Sequence, residues 1–159
     1  MSVAFTRDED HEAQAANLPD RPISPHLNLV TPKGLAELEA QFVLAKAAYS
    51  SAQASGDVRD DRTAMARATR DLRYYTARLG SAQCVQPKLA YERVAFGCHV
   101  TIEREDGRKQ TFQIVGEDEA DPARGSLSYV SPLAAALLGR YVGDEAYVAE
   151  ATVEIIALA

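Results

Sequence analysis

The apolar residues in the middle of the chain recur at helical spacing in two separate stretches. The first stretch carries them at Leu35, Leu38, Phe42, Ala45, Tyr49 and Ala52. The second stretch carries them at Met65, Ala68, Leu72, Tyr75, Leu79 and Ala82. Both stretches alternate steps of three and four residues, which is the heptad pattern of helices that pack as a coiled coil. Thr31 and Pro32 precede the first stretch and suit an N-cap and a first helical residue.

The two apolar stripes mirror each other about one point in the chain. Residues at equal distances from that point pair with complementary sizes, such as Tyr49 with Ala68 and Ala45 with Leu72. Because antiparallel helices pair residues whose numbers have a constant sum, we predict a coiled-coil hairpin over residues 31–86. Its turn is predicted between Val58 and Arg59. Two separate amphipathic helices on a globular core are the alternative.

Residues 87–159 show the shorter period of β-strands. Strands are predicted over Tyr91–Glu103, Gln110–Val115, Ser126–Val130, Ala146–Ala149 and Ala151–Leu158. Turns are predicted at Asp106-Gly107 and at Gly143-Asp144. A helix is predicted over Leu133–Leu138, with Ser131-Pro132 at its start and Gly139 at its end. This order predicts a mainly antiparallel sheet crossed by one helix, and therefore an α+β fold. Residues 1–30 are rich in Pro and lack periodicity, so we predict an irregular leader.

Composition excludes several classes of protein. The 159 residues carry a net charge of −6, without the uniformly basic surface that binding to naked duplex DNA requires. No window approaches the roughly 18 apolar residues of a membrane span, and the first residues lack the order of a signal peptide. We therefore expect a cytoplasmic location. Cys84 and Cys98 form no CxxC motif, and the histidines lack metal-ligand spacing, so reduced thiols and no zinc site are expected.

The charge differs between segments. The leader has two arginines against five carboxylates, the hairpin has a net charge of +2, and residues 87–159 have a net charge of −5. The arginines of the second helix recur at helical spacing, at Arg59, Arg62, Arg70 and Arg73. They indicate a basic face, for which a solvated coiled-coil surface is the alternative. The acidic leader is either a docking tail or a strap packed on the neighbouring helix.

Three carboxylates, Asp57, Asp60 and Asp61, cluster at the predicted tip of the hairpin. Carboxylate oxygens suit Mg²⁺ or Ca²⁺. A few of them without a cage would complete a metal site that a partner supplies, and so help to orient a water for phosphoryl chemistry. The alternative is a solvated turn in which Asp57 or Asp60 caps the second helix.

Several segments resemble bacterial Gre transcript-cleavage factors (GreA and GreB). They are Leu29–Leu35, Gly56-Asp57, Ser81–Val85, Val94–Gly97, Ile114–Pro122, Ser126–Ala134 and Gly143-Asp144. The resemblance implies an N-terminal coiled coil and an FKBP-like domain over residues 87–159. It also implies that the chain is a transcription elongation factor and not itself an enzyme.

The resemblance implies bacterial RNA polymerase as the partner, bound at the rim of its secondary channel. Asp57 and Asp60, with Asp61 beside them, would assist the polymerase by sharing its Mg²⁺, and no cofactor is expected for the chain alone. Polymerase contacts are expected at Ser131, Pro132 and Leu133. The basic face, Arg59, Arg62, Arg70 and Arg73, would lie near RNA. Contact with the nascent RNA 3′ end would be indirect, and contact with DNA would occur only through the polymerase complex. No membrane partner is expected. The chain itself is expected to be a monomer.

The chain departs from the Gre pattern in three respects. Asp60 stands where the family usually has Glu, and Asp61-Arg62 replace neutral residues. Each arm of the hairpin is about two helical turns shorter than usual, which would leave the tip about 10 Å short. The leader has no counterpart. These departures leave open a cleaving Gre factor and a non-cleaving paralogue that occupies the channel. A prolyl isomerase of the FKBP type is the third reading, and it requires an aromatic-lined pocket.

Overall fold

The computed structural model describes residues 18–54 and 58–159, with side chains described throughout except at 58–61. These residues divide into two compact units. One contains the described residues up to Pro25 together with Leu38–Ser81, and the other contains His26–Glu37 together with Ala82–Ala159. No helix in the described part of the chain combines the length and the apolar character needed to cross a bilayer.

The first unit is built on a helical hairpin, as predicted. Helix α1 spans Pro32–Ala54 and helix α2 spans Val58–Ser81. Leu38, Ala45 and Ala68 of the apolar stripes are buried. Two surface grooves are lined by both helices, one by Ala52 with Met65 and the other by Tyr49 with Thr69 and Leu72, among other residues. These neighbours agree with the antiparallel pairing that the mirrored stripes predict.

The predicted centre of the hairpin turn, between Val58 and Arg59, is wrong. Val58, expected at the centre of the turn, is the first residue of α2, and α1 ends at Ala54. Residues 55–57, which separate the two helices in the sequence, lie outside the described residues. Glycine costs about 1 kcal/mol relative to Ala inside a helix, so Gly56 is a sequence signal for a helix end that lies before the centre of symmetry.

The second unit contains a five-stranded sheet and confirms the predicted α+β fold. Its strands are β3 (His99–Arg104), β4 (Lys109–Val115), β5 (Ser126–Ser128), β6 (Glu145–Val148) and β7 (Ala151–Leu158). Their order is β5-β4-β3-β7-β6, and only the short β4–β5 pairing is parallel. Helix α3 (Pro132–Leu137) packs on the buried face through Ala134 and Leu137. Fully buried aliphatic side chains such as Ile102, Ile114 and Ile155 form the core, each worth about 1.5–3 kcal/mol in removed apolar surface.

The strand predicted over Tyr91–Glu103 is wrong in its first half, since β3 begins only at His99. The preceding apolar residues are held outside any ladder. The Val94 amide donates to the Arg140 carbonyl at 2.8 Å, and the Gly97 amide donates to Ile114 at 2.7 Å. Gly97 has a φ of +88°, which a β-strand does not tolerate. Val94 is buried although it lies in a loop.

A two-stranded parallel pairing was not predicted. Strand β1 (Leu29–Val30) pairs with β2 (Gln83–Cys84), so the last two residues of the predicted leader are extended and paired. Gly116 lies against β1 so closely that an added Cβ would collide with the Leu29 carbonyl oxygen. The glycine is therefore required by a close backbone approach.

Candidate functional site

The predicted role of the carboxylates at the hairpin tip stays a prediction, because the structure does not describe their side chains. Asp57 lies outside the described residues. Asp60 and Asp61 lie in the first turn of α2, which begins at Val58, but their side chains are outside the described part. In the part of the chain that the structure describes, no three His, Cys, Asp or Glu side chains form a group that could hold a metal ion. The donor chemistry of the tip suits Mg²⁺, but the described residues provide no complete cage.

The predicted basic face lies on one side of α2. At 3.6 residues per turn, positions 59, 62, 70 and 73 fall within an arc of about 80°. Arg62 and Arg73 are exposed, whereas Arg70 is half-buried and its Nε lies 3.4 Å from Asp71 Oδ1. The side chain of Arg59 lies outside the described part. The three described arginines are therefore brought together on a single helical face.

Part of the leader lies on this face. We call residues 18–25 the strap; they have no helix or strand structure, and two of them, Asp20 and Arg21, contact α2. Arg73 Nη1 donates to Asp20 Oδ1 at 3.2 Å, and Arg21 Nη1 lies 3.6 Å from Asp71 Oδ1. The guanidinium carbon of Arg21 stands 3.8 Å from the centre of the Tyr74 ring, which is a cation–π contact.

The environment of Arg21 stabilises the protonated form of its guanidinium group. Partial burial by itself would lower the pKa of the guanidinium, but a hydrogen bond with Tyr75 and the nearby Tyr74 and Asp71 outweigh burial and raise it. The two tyrosine rings meet edge to face, with centroids 5.2 Å apart. Arg21 thus remains a cation against an aromatic and acidic patch of α2. Its position between Pro19 and Pro22 is a signal in the sequence, since prolines keep a segment out of a helix.

A groove of about 580 Å³ lies between the strap and the two helices. Its lining combines apolar and basic side chains: Leu18, Asp20, Ala52, Gln53, Arg62, Met65, Ala66, Thr69, Arg70 and Arg73. All three described arginines of the basic face therefore border one groove, together with the first described residue of the strap. A groove lined by both apolar and cationic side chains suits an anionic segment that also carries small apolar side chains.

The three residues predicted to contact polymerase open helix α3. Ser131 is the N-cap, and its Oγ accepts a hydrogen bond from the Ala134 amide at 3.4 Å. Pro132 is the first helical residue and is exposed. Leu133 is half-buried and packs against the core. Of the three side chains, Pro132 is the one that a partner could reach without disturbing the fold.

A polar junction at the start of α1 was missed by sequence reasoning. The Thr31 hydroxyl donates to Glu119 Oε2 at 2.6 Å and accepts from the Gly34 amide at 3.0 Å. Thr31 is 5% exposed, and a Cβ on Gly34 would stand 2.5 Å from the same carboxylate oxygen. Thr31 was recognisable as an N-cap, but no periodic pattern links it to a carboxylate 88 residues later.

The C-terminal half of the chain matches a known family. The family model "Transcription elongation factor, GreA/GreB, C-term" matches residues 87–159. The transcription elongation factor GreA of Desulfovibrio desulfuricans is 36% identical over 121 residues, an alignment that covers 70% of this chain and 74% of that protein. This second match extends beyond the C-terminal half.

Two further similarities cover the chain differently. Transcription elongation factor GreB of Neisseria meningitidis is 42% identical over 93 residues, and the chain spans only 57% of the length of that relative. The crystal structure of GreA factor homolog 1 (Gfh1) of Thermus thermophilus aligns with a TM-score of 0.40 and 20% identity, over 84% of this chain and 99% of that one.

Proposed function

Because the chain belongs to the GreA/GreB family of transcription elongation factors, we propose that it binds bacterial RNA polymerase and promotes cleavage of backtracked RNA by the polymerase itself. In this proposal the hairpin enters the secondary channel, and the β domain holds the rim of that channel. The chain is an accessory factor that adds groups to another protein's active centre.

The observation that carries the proposal is the helical hairpin and the bounds of its two helices. Helix α1 has 23 residues and ends at Ala54, and helix α2 has 24 residues and begins at Val58. Asp60 and Asp61 therefore belong to the first turn of α2, and Asp57 directly precedes that turn in the sequence. A rod that ends in carboxylates can deliver hard oxygen ligands into a narrow channel. Asp57 and Asp60 would hold a Mg²⁺ shared with the polymerase, and that ion would supply an activated water when bound.

The remaining predicted residues receive roles that agree with their surroundings. Arg62, Arg70 and Arg73 form a cationic face that would lie beside the RNA backbone. Pro132 is exposed at the start of α3 and would contact the polymerase at the rim. Ser131 and Leu133 would support that contact by capping and packing the helix.

A second candidate is a factor that occupies the same channel without stimulating cleavage, and the length of the rod favours it. At 1.5 Å per residue, the 23 residues of α1 extend about 35 Å. Two turns fewer than a usual Gre arm would leave the tip about 10 Å from the position that a metal ligand must reach. Metal–ligand distances tolerate only about 0.2 Å, so a rigidly docked short rod would occlude the channel without providing a ligand.

A cleavage assay on stalled, backtracked polymerase distinguishes the two candidates. The cleaving factor shortens the labelled RNA, and Asp57→Asn with Asp60→Asn abolishes the shortening. A matched control, Glu37→Gln with Glu39→Gln, removes the same charge from exposed positions of α1 and should cleave normally. Binding without cleavage by the unmodified chain would exclude the first candidate, and competition with nucleotide entry would then support the second.

The rim contact has its own matched test. Pro132 opens α3 and Pro122 opens a short 3₁₀ turn (Pro122–Arg124), and both prolines are exposed. We expect Pro132→Ala to weaken binding to polymerase, and Pro122→Ala to leave it unchanged. Equal binding by the two variants would remove Pro132 from the interface.

A further inference from the structure

The strap brings the N-terminal part of the chain directly into the arginine-lined groove. Leu18, the first described residue, and Asp20 both line the groove beside Arg62, Arg70 and Arg73. The strap is held there by the Asp20–Arg73 and Arg21–Asp71 ion pairs and by the contact of Arg21 with Tyr74. Any residue that precedes Leu18 is therefore attached to a chain that already lies on the basic face.

The segment before Leu18 carries the charge that this groove lacks. Its carboxylates are Asp8, Glu9, Asp10 and Glu12, against the single Arg7. Six extended residues, from Glu12 to Leu18, reach about 20 Å at 3.3–3.6 Å each. The arginines of α2 extend over about 16 Å from Arg62 to Arg73 at 1.5 Å per residue. The acidic segment is long enough to reach each of the three described arginines.

We propose that residues 8–12 occupy the arginine-lined groove and mask the basic face of α2 from nucleic acid. Individual ion pairs between exposed side chains are weak, but the tether raises the local concentration of the acidic segment at the groove. The segment would act as an intramolecular competitor that a strongly anionic strand must displace. Its effect on RNA cleavage rests on the proposed function, whereas the masking itself requires only the groove.

Binding of a labelled single-stranded RNA, followed by fluorescence anisotropy, tests the masking without polymerase. The probe is a fluorescein-labelled 15-nucleotide oligouridine at low salt. The leader variant Asp8→Asn, Glu9→Gln, Asp10→Asn, Glu12→Gln should bind it about fivefold more tightly than the unmodified chain, because four competing charges are removed. Adding Arg62→Gln, Arg70→Gln and Arg73→Gln should abolish the gain.

A matched control separates masking from a general change of charge. Glu92, Glu145, Glu150 and Glu154 are exposed in the other unit, and their replacement by Gln adds the same four positive units to the net charge. This control should change the affinity less than twofold. Equal gains in the control and the leader variant, or no gain in the leader variant, would overturn the proposal. Neither result would bear on RNA cleavage, so failure here is distinguishable from failure of the proposed function.

Disulfide trapping tests the position of the segment directly. Asp10→Cys is combined with Thr69→Cys in the groove, in a chain that also carries Cys84→Ser. We expect an intramolecular disulfide to form faster than in the matched pair Asp10→Cys with Gln41→Cys, since Gln41 is exposed on α1 and does not line the groove. Equal rates would contradict the proposal. Disulfide-linked dimers in place of the internal bond would assign the groove to a second copy of the chain.

Discussion

Replacing Thr31 by Val should reveal how strongly the start of α1 is held to the loop that carries Glu119. Valine keeps the shape of threonine and removes only the hydroxyl. That hydroxyl donates to Glu119 Oε2 at 2.6 Å and accepts from the Gly34 amide at 3.0 Å. Because Thr31 is 5% exposed, water cannot easily replace either bond. The substitution therefore removes two hydrogen bonds at a buried position without creating a cavity.

The two bonds contribute differently to stability. Loss of an N-cap side chain costs about 1 kcal/mol. A hydrogen bond to a charged group contributes about 1.5–3 kcal/mol, and we use the lower end because Glu119 is half-exposed. Some of this is recovered when the carboxylate turns toward water. We therefore expect Thr31→Val to lower the free energy of unfolding of its unit by about 2 kcal/mol.

Amide hydrogen exchange measures this effect at the site. The exchange rate of the Gly34 amide should rise about 30-fold in Thr31→Val, since 1.4 kcal/mol corresponds to a factor of ten. Thr31→Ser retains both hydrogen bonds and should raise that rate by much less. Thr31→Val should also cost less in a Glu119→Ala background, because one of its two hydrogen bonds is then already absent.

Two outcomes would refute the reasoning. If Thr31→Ser accelerates exchange of the Gly34 amide and Thr31→Val leaves it unchanged, the methyl group and not the hydroxyl matters at this position. If Thr31→Val costs the same with and without Glu119, the 2.6 Å contact contributes nothing to stability. Gly34→Ala offers an independent check, since its Cβ must displace the Glu119 carboxylate, and it should reproduce the loss of coupling.

Three further predictions concern single positions. Gly116→Ala should destabilise its unit by about 3 kcal/mol or more in urea unfolding, because its Cβ meets a backbone carbonyl that cannot move alone, whereas Gly80→Ala, in open space on α2, should stabilise by about 0.5–1 kcal/mol. Exposed Cys84 should be alkylated in the native state and Cys98 only after unfolding, as peptide mass spectrometry would show, because Cys98 is buried and burial raises the pKa of its thiol. Hydrogen bonds from the backbone amide and the side chain of Arg108 lower the pKa of Asp106. The carboxylate of Asp106 should therefore contribute to stability above about pH 4, and this contribution should decline as the pH falls toward the lowered pKa. A carboxyl NMR titration would detect the lowered pKa.

The hairpin could be predicted from the sequence because the same spacing occurs twice and in mirror order. The pattern is redundant in the sequence, since each apolar position in one stripe has a mirrored position in the other. The position of the turn depends on a few residues only, and α2 already begins at Val58, before the centre of symmetry of the stripes. The register of a repeated pattern is thus more predictable than its ends.

The sheet was predictable where turn residues separate the strands. Asp106-Gly107 placed the β3–β4 hairpin, and β7 matches its predicted bounds, Ala151–Leu158. The failure at Tyr91–Cys98 has a physical cause, because apolar side chains at alternating positions can also be buried by a loop. There the backbone amides find partners in Arg140 and Ile114, outside any strand ladder, and periodicity carries no information about such partners.

The candidate site divides in the same way. A helix fixes the relative angles of its own residues, so the common face of Arg62, Arg70 and Arg73 followed from spacing alone. The strap and the Thr31–Glu119 junction depend on contacts between residues far apart in the chain, 53 positions for Asp20 and Arg73. Charges and prolines indicated that the leader is unusual, but they could not identify which residue of the leader pairs with which residue of α2.

The order of charges in the strap suggests how its position on α2 is specified. Asp20 meets Arg73 and Arg21 meets Asp71, so two adjacent residues of opposite sign contact two nearby residues of opposite sign. Each exposed pair contributes at most about 1 kcal/mol, and the contact of Arg21 with the Tyr74 ring contributes about as much. Such small contributions to stability would not by themselves require an alternation of negative and positive residues in the strap. A shift of the strap by one residue along α2 would bring like charges together, so the pairs specify register more than they add affinity. A fixed register keeps Leu18 in the groove, beside Arg62, Arg70 and Arg73.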